Sequence, residues 1–353
     1  MKAILAESPE VDFRYWGGDK MQSVQEGLVK HIKDLAFMGF VEVVMNLRTI
    51  LGNMKFCKKD IEAYKPDALI LVDYPGFNLR IAEWAHEKGI KVYYYISPQV
   101  WAWKQSRVKK IKQVVDHMFV ILPFEKEFYG KFNYDVEYVG HPLLDEIEDF
   151  KANRKQELKD FVQTNSLSEK PILAILPGSR KQEISVKLPI MLEAAKAFDQ
   201  FEIVVAGAPT ITPEFYESLM KGHAKVIHDQ TYNLLTHAHT AVVTSGTATL
   251  ETGLFKVPQV VCYKGSKISY HIAKRLVKID FISLVNLIMG KEIVKELIQN
   301  ECNPTRIKEE LHLLIDDTNH RQNLIDNYSE MHAKLGGGGA SQKVAQSLLK
   351  TIR

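Results

Sequence analysis

The stretch Val242-Val243-Thr244-Ser245-Gly246-Thr247-Ala248-Thr249-Leu250-Glu251 changes character half-way along. The apolar run Thr240–Val243 gives way to small, hydroxyl-bearing residues, and an Ala248, Leu250, Glu251 pattern suited to a helix begins. Such a sequence hands a buried strand to a helix N-terminus with nothing bulky in the way. The free N–H groups of that terminus and its partial positive charge suit a phosphate. The Ser245 and Thr247 hydroxyls add donors, and Glu251, one turn in, either accepts hydrogen bonds from a ribose or favours the helix start. A second junction, Ala174-Ile175-Leu176-Pro177-Gly178-Ser179-Arg180, has the same design with an arginine added. Gly178 admits close backbone approach, Ser179 reads as an N-cap, and Arg180 can grip phosphate oxygens in bidentate fashion. Two anion cradles in one half of a chain point to a diphosphate-bearing ligand such as a nucleotide sugar.

Bulk properties agree with a globular enzyme. The 353 residues are 46% hydrophobic and 25% charged, enough for two domains with their own cores. A net charge of +3 is too small to make nucleic acid the expected partner. Cys57, Cys262 and Cys302 show no paired spacing and read as reduced thiols, so no disulfide framework and no metal site is expected. No apolar run reaches the length of a membrane span, and the opening residues Met1–Pro9 do not read as a signal peptide. The expected location is the cytoplasm.

Apolar runs alternate with amphipathic segments from end to end. Strands are expected at Asp12–Tyr15, Ala68–Val72, Lys91–Ile96, His117–Val120, Ile172–Leu176, Glu202–Ala206, Lys225–Ile227, Thr240–Val243 and Gln259–Cys262, with helical patterns such as Ile81–Lys88, Val108–Val115 and Leu188–Phe198 between them. This rhythm predicts an α/β fold of doubly wound parallel sheets. The polar stretch Asp149–Lys170 marks the expected boundary, giving a first domain at 1–160, a second at 161–325 and a C-terminal helical segment at 326–353. The pattern after Ile293 reads as helical, and the glycine run 336–339 breaks it before a last helix, Gln342–Ile352. Lys2–Glu7 reads as the tail of a helix, so the first domain opens without the buried strand and glycine-rich turn that such domains usually have.

Other constellations carry chemistry. Asp73 ends a buried strand, where ligands of open α/β sheets bind; it reads either as a general base or as a turn cap before Pro75-Gly76. Trp101 and Trp103 in Ser97-Pro98-Gln99-Val100-Trp101-Ala102-Trp103 form either an aromatic wall or core packing. Lys104, Arg107, Lys109, Lys110 and Lys112 make a solvated face or steer an anionic substrate or membrane. His141 in Gly140-His141-Pro142 is either structural or a donor to phosphate. The basic, aromatic segment Ile268–Phe281 fits an amphiphilic substrate or a membrane interface as well as a packed surface helix. No P-loop, Gly-x-Gly-x-x-Gly or Gly-x-Ser-x-Gly motif is present.

Taken together, seven ordered motifs resemble those of the lipid-A-disaccharide synthase family of bacterial glycosyltransferases. They are Asp73-Tyr74-Pro75-Gly76-Phe77-Asn78, Ser97–Trp103, Leu122-Pro123-Phe124-Glu125, Gly140-His141-Pro142, Leu176-Pro177-Gly178-Ser179-Arg180, Ser245–Glu251 and Ser283-Leu284-Val285-Asn286. The resemblance runs from about residue 10 to the C-terminus. It implies a GT-B fold, two Rossmann-like domains facing across a cleft with C-terminal helices. The implied reaction joins UDP-2,3-diacylglucosamine to 2,3-diacylglucosamine 1-phosphate with inversion, giving lipid A disaccharide 1-phosphate and UDP. Asp73, Arg180 and Asn286 are the implied catalytic residues. Gly178, Ser179, Arg180, Ser245, Gly246, Thr247, Ala248 and Glu251 are the implied donor-binding set, with no metal or other cofactor. The resemblance further implies peripheral attachment to the cytoplasmic face of the inner membrane and a homodimer with exchanged C-terminal segments.

Two departures stand out. The family's opening strand and Gly-Glu-x-Ser-Gly-Asp loop are not in this sequence, which predicts an unpaired sheet edge and weak or no turnover by residues 1–353. Gly76 stands where some relatives carry a second acid, so Asp73 is the only carboxylate of its motif. The competing expectations are another GT-B enzyme, such as a UDP-GlcNAc 2-epimerase, or a protein that binds the UDP-sugar without turnover.

Overall fold

The computed structural model describes residues 1–34, 47–266, 270, 274–277 and 279–352. The chain divides into two compact units, Met1–Pro142 with Gly339–Arg353 and Leu143–Gly338. The division falls ahead of the expected boundary near residue 160. The helices Pro142–Asn153 and Leu158–Thr164 supply Phe150 and Phe161, which pack on Tyr232, Phe255 and His237 of the second unit. Apolar anchors, rather than the polarity of the stretch, decide its allegiance. The expected separate segment 326–353 is likewise split, its first helix staying with the second unit and its last helix returning to the first.

In the first unit β1 (Tyr15–Gly17) and β2 (Leu28–His31) form a parallel pair. The strands β3 (Ala68–Val72), β4 (Lys91–Tyr95), β5 (His117–Val120) and β6 (Glu137–Tyr138) form a separate parallel sheet in that order. Among the described residues, the all-apolar β3, which reads as an interior strand, stands at the edge of this sheet. Side chains alternate between two cores. Leu71, Val92, Tyr94, Met118 and Val120 face the helices Pro75–Glu87 and Arg107–Val114. Tyr93 and Phe119 face the opposite way, onto Ile4, Val344, Ala345 and Leu348. That second face is therefore covered by the helices Lys2–Glu7 and Ala340–Ile352, the two sequence extremes of the chain. Polar contacts fix the seat: Tyr93 donates to Thr351 Oγ1 at 3.0 Å, Lys91 to the Thr351 carbonyl at 2.8 Å, and Ser347 to Glu137 at 2.6 Å.

The second unit holds one six-stranded sheet. Its strands are β7 (Ile172–Leu176), β8 (Glu202–Gly207), β9 (Lys225–His228), β10 (Ala238–Thr244), β11 (Gln259–Tyr263) and β12 (Lys295–Ile298). All pair in parallel, in the order β9-β8-β7-β10-β11-β12. Numbered within the sheet this is the 3-2-1-4-5-6 order of a doubly wound nucleotide-binding domain. β7 and the Thr240–Thr244 part of β10, fully apolar apart from hydroxyls, are buried on both sides, as covered parallel strands must be. Several helices start on proline, at Pro213 and Pro304 here and at Pro75 and Pro123 in the first unit, where the missing N–H costs nothing. Others stop on a left-handed glycine, Gly290 and Gly336.

Eight of the nine expected strands lie where the periodicity puts them, and the one expected at Asp12–Tyr15 forms three residues on, at Tyr15–Gly17. The expectation of helix throughout the region after Ile293 is corrected by β12, whose Glu296 and Leu297 pair with β11. Among the described residues, no helix is long and apolar enough to cross a membrane.

Leu348 is buried against the β4–β5 face, so Leu348→Ala is expected to cost roughly 2–5 kcal/mol of stability. Urea unfolding read by intrinsic fluorescence measures it. A loss under about 0.5 kcal/mol, typical of a surface position, would mean that the helix is not seated there.

Candidate functional site

The candidate residues fall in both units and are built up within each. In the second unit the chain reverses its winding between β7 and β10, which are neighbours with Leu176 level with Val243. Ligands of doubly wound sheets bind at this switch point, beyond the carboxyl ends of the strands. The two junctions singled out in the sequence are the continuations of these two strands, so they lie side by side.

After β7 the chain passes Pro177, Gly178 and Ser179 and enters the helix Lys181–Ala195 with Arg180 as its N-cap residue. Ser179, expected as the cap, sits one residue earlier and is exposed. Gly178 has φ +120°, a backbone that favours glycine, and a Cβ there would lie 2.8 Å from Glu183 Oε2, the movable end of that side chain. The Arg180 guanidinium is exposed and donates to Glu183 Oε1 at 3.1 Å. After β10 the chain turns through Ser245 and Gly246, with Gly246 at φ +139°, into the helix Thr247–Leu254. Gly246 and Thr247 are exposed and Ala248 half-exposed, while the Thr249 N–H donates to the Gly246 carbonyl at 3.1 Å; a helix start exposed in this way favours an anion. Ser245 is held from both sides: its N–H donates to the Cys262 carbonyl at 3.1 Å and its hydroxyl to the Ile282 carbonyl at 3.0 Å. Glu251 accepts from Tyr232 OH at 3.2 Å, and its carboxyl lies above the usual range because burial outweighs that hydrogen bond.

Asn286 stands differently from the catalytic role expected of it. It is 0% exposed, on the short helix Leu284–Met289. Its Nδ2 donates to the Val294 carbonyl and to Glu296 Oε1, each at 2.9 Å, while its Oδ1 accepts from the N–H groups of Ile293 at 2.8 Å and Val294 at 3.0 Å. Every hydrogen-bonding position of the amide is filled. The Glu296 carboxylate also accepts from the N–H groups of Ile282 and Ser283 and from the Ser283 hydroxyl, at 2.7–2.9 Å. Asn286 thus works through Glu296 on the Ile282–Ser283 turn, which in turn receives the Ser245 hydroxyl. The segment Ile268–Phe281, read as an amphiphile or membrane surface, lies partly outside the described residues, at 268–269, 271–273 and 278.

In the first unit Asp73 follows β3. Asp73 and Tyr74 both adopt left-handed backbone, φ 44° and 46°, and Ile96, after the neighbouring β4, has φ 62°. Such conformations are costly for tyrosine and more so for a β-branched residue; here they gather at the carboxyl ends of adjacent strands. The Asp73 turn is held by its N–H donating to the Tyr95 carbonyl at 3.1 Å, and by its carbonyl accepting from Tyr94 OH at 2.5 Å and Asn78 Nδ2 at 2.7 Å. These bonds use the backbone, and none of them engages the carboxylate of this exposed residue. Partial desolvation raises its pKa, opposed by the Tyr74 N–H, the direction that makes a carboxylate a better base.

The two tryptophans divide between the two expectations. Trp101 is buried, edge-on to Phe124 at 5.0 Å. Trp103 is 39% exposed, with Lys104 Nζ 4.4 Å and the Arg107 guanidinium 5.5 Å from its ring centre. Trp101 is anchored by Glu125, 1% exposed, which accepts its indole N–H at 3.2 Å and the N–H groups of Ile121 and Leu122 at 3.1 and 2.9 Å. Desolvation pushes the Glu125 pKa up to about 7 against the pull of these donors. Beside it, Ser97 and Tyr129 share a 2.6 Å hydrogen bond. His141 is buried and desolvation takes its pKa down to about 4, so it is neutral at physiological pH and suits the structural reading.

The profile of the Lipid-A-disaccharide synthetase family matches residues 1–350. The chain belongs to the lipid-A-disaccharide synthase family. It is 37% identical over 359 aligned residues to the lipid-A-disaccharide synthase of Trichlorobacter lovleyi, spanning 100% of this chain and 93% of that protein. It is 39% identical to that of Nitrosococcus oceani, spanning 98% and 90%. In overall fold it is similar to the UDP-GlcNAc 2-epimerase of Neisseria meningitidis solved with UDP-GlcNAc, at TM-score 0.66 and 15% identity over 99% of this chain and 97% of that one. It is also similar to the glycotransferase of kitacinnamycin, at TM-score 0.63 and 13% identity over 99% and 92%. These likenesses show the expected GT-B fold class. Within this lipid-A-disaccharide synthase family member, sequence reasoning missed Glu183, Lys187 and Glu296. The Glu183–Lys187 spacing of four on one helix was a legible signal; Glu296 carried none while its strand read as helix.

The Glu125 carboxyl yields a prediction. Its folded pKa lies above the unfolded value, so its contribution to stability is full below the unfolded pKa and is lost as pH rises through about 7. The stability advantage of the parent over Glu125→Gln is therefore expected to shrink between pH 5 and 7 and level off above. Urea midpoints across that range measure it, and a pH-independent difference would remove the buried-carboxyl account.

Proposed function

We propose that this chain transfers the diacylglucosaminyl group of UDP-2,3-diacylglucosamine to 2,3-diacylglucosamine 1-phosphate. The acceptor 6-hydroxyl attacks the anomeric carbon, and the bond to the UDP oxygen breaks with its electron pair leaving on the diphosphate. The products are the β-1,6-linked disaccharide 1-phosphate and UDP, with inversion at one centre. The observation that carries this reading is the pairing of the two junctions at the switch point of the second sheet in a member of this family. Arg180, Gly178 and Ser179 on one side and Ser245, Gly246, Thr247 and Ala248 on the other receive the diphosphate, and Glu251 takes the ribose. Charge that builds on the leaving group meets fixed N–H donors and a guanidinium, so the electrostatic work falls to the protein and needs no metal. Asp73 accepts the proton of the 6-hydroxyl, and its place at the carboxyl end of β3 and its raised pKa support that role. Asn286 contributes by fixing the turn behind Ser245.

Acylated substrates call for an amphiphilic surface. Trp103 flanked by Lys104 and Arg107, and the exposed Leu47, Leu51 and Phe56 of the helix Leu47–Tyr64, support peripheral attachment to the anionic cytoplasmic face of the inner membrane. The final helix packs on its own chain here, and the Gly336–Gly339 run before it is a hinge through which a dimer would exchange that helix.

With both lipid substrates and purified residues 1–353, disaccharide formation is the outcome that supports this reading, and the weak or absent turnover expected from the sequence is the outcome that counts against it. Asp73→Asn should lower kcat by roughly 10²–10⁴-fold with UDP affinity unchanged. Arg180→Ala should weaken UDP and lower kcat/KM together. Near-parental turnover by the Asp73→Asn variant would sink the base assignment. UDP binding without disaccharide would favour a non-catalytic binder, and conversion of UDP-GlcNAc to its 2-epimer would favour an epimerase.

A further inference from the structure

Lys187 plays no part in the reaction above, and its setting is unusual. Among the described residues it is the one lysine in the buried class, 3% exposed. It lies on the second turn of the helix that follows the Gly178 junction. Its Nζ donates to the hydroxyl of Thr244, the last residue of β10 before Ser245, and stands 3.8 Å from Glu183 Oε2. The other oxygen of Glu183 receives the Arg180 guanidinium at 3.1 Å. A continuous line, Arg180–Glu183–Lys187–Thr244, thus runs from the β7 junction to the β10 junction. The glycine that makes the first junction sits between its members: a Cβ on Gly178 would meet Glu183 at 2.8 Å and Thr244 Cγ2 at 3.6 Å.

Burying an ammonium costs several kcal/mol, and an apolar side chain of similar volume is often neutral or better for stability. Desolvation accordingly lowers the Lys187 pKa, with Glu183 opposing. Packing alone therefore does not account for a lysine here. Charge does. Arg180 and Glu183 by themselves sum to zero, so the pair offers a ligand anion no net attraction. With Lys187 the trio carries one net positive charge, and the carboxylate has a second cation to hold.

We propose that Lys187 is a positioning residue for the donor diphosphate, sharing Glu183 with Arg180 so that the guanidinium can turn to the ligand, and tying the two junctions together through Thr244. The inference rests on the reading of this site as a UDP seat. Lys187 does not itself touch the ligand.

Calorimetric titration of the full chain with UDP, and with uridine as a phosphate-free control, tests it. Lys187→Met is expected to raise the UDP Kd about tenfold, the scale of one charge-assisted hydrogen bond, with uridine affinity and thermal midpoint unchanged. Glu183→Gln on the Lys187→Met background should restore most of the loss, since it removes the competing carboxylate. Equal weakening of UDP and uridine, an unchanged UDP Kd in folded Lys187→Met, or no recovery in the double variant would each overturn the inference. If Lys187→Met does not fold, Glu183→Gln alone decides, with tighter UDP binding expected and weaker binding fatal. A parental protein that does not bind UDP removes the donor reading, and this inference with it.

Discussion

The second unit depends on one constraint, the adjacency of β7 and β10. Crossovers between parallel strands keep one hand, so the chain covers opposite faces of the sheet as it winds outward from the centre in each direction. The two central strands must then end beside each other with their following helices diverging. Divergence opens a crevice and leaves two helix starts at its floor. Small residues follow, because Gly178 and Gly246 adopt backbone that side chains disfavour. The anion-binding character of the site is a consequence of winding before it is a consequence of any charged side chain.

A second regularity concerns carboxylates placed behind the exposed groups. Glu183 lies under Arg180, Glu296 gathers the Ile282–Ser283 turn that receives Ser245, and Glu125 anchors Trp101 in the loop that ends in exposed Trp103. In each case an acceptor with several lone pairs collects N–H or cationic donors from loop segments that have no ladder of their own. Irregular backbone is thereby fixed without adding bulk at the surface. The arrangement also explains why Asn286 is fully enclosed: its value lies in holding Glu296 and the Ile293–Val294 backbone in register.

Period and junction chemistry made much of this legible in the sequence. Fully apolar runs such as Ile172–Leu176 and Ala68–Val72 have one natural fate in an α/β chain, and the Pro-Gly-Ser-Arg and Ser-Gly-Thr-Ala orders mark their own turns. Short or mixed strands were not legible. Leu28–His31, Glu137–Tyr138 and Lys295–Ile298 carry charged or polar residues in segments too short to show a period, and pairing with a neighbour decides them. The burial of Asn286 and Lys187 was equally hidden, since residue type argues for exposure and only tertiary contacts reverse it. The unit boundary failed for the related reason that a polar stretch hides the few aromatic anchors, Phe150 and Phe161, that assign it.

The first unit is closed by Ala340–Ile352, while the second is one uninterrupted run, Leu143–Gly338. During synthesis the order of completion is therefore reversed with respect to the order of translation. The first unit emerges first, but the face carrying Tyr93 and Phe119 stays without its cover until residues 340–352 have been made, by which time the whole of the second unit is available to fold. Contacts between Ile4, Tyr93 and Leu348 span nearly the entire chain and close last, the slow class of contact in folding. A nascent chain of this protein would be expected to lean on chaperones through its N-terminal half and to be sensitive to premature termination far beyond what the loss of one short helix suggests.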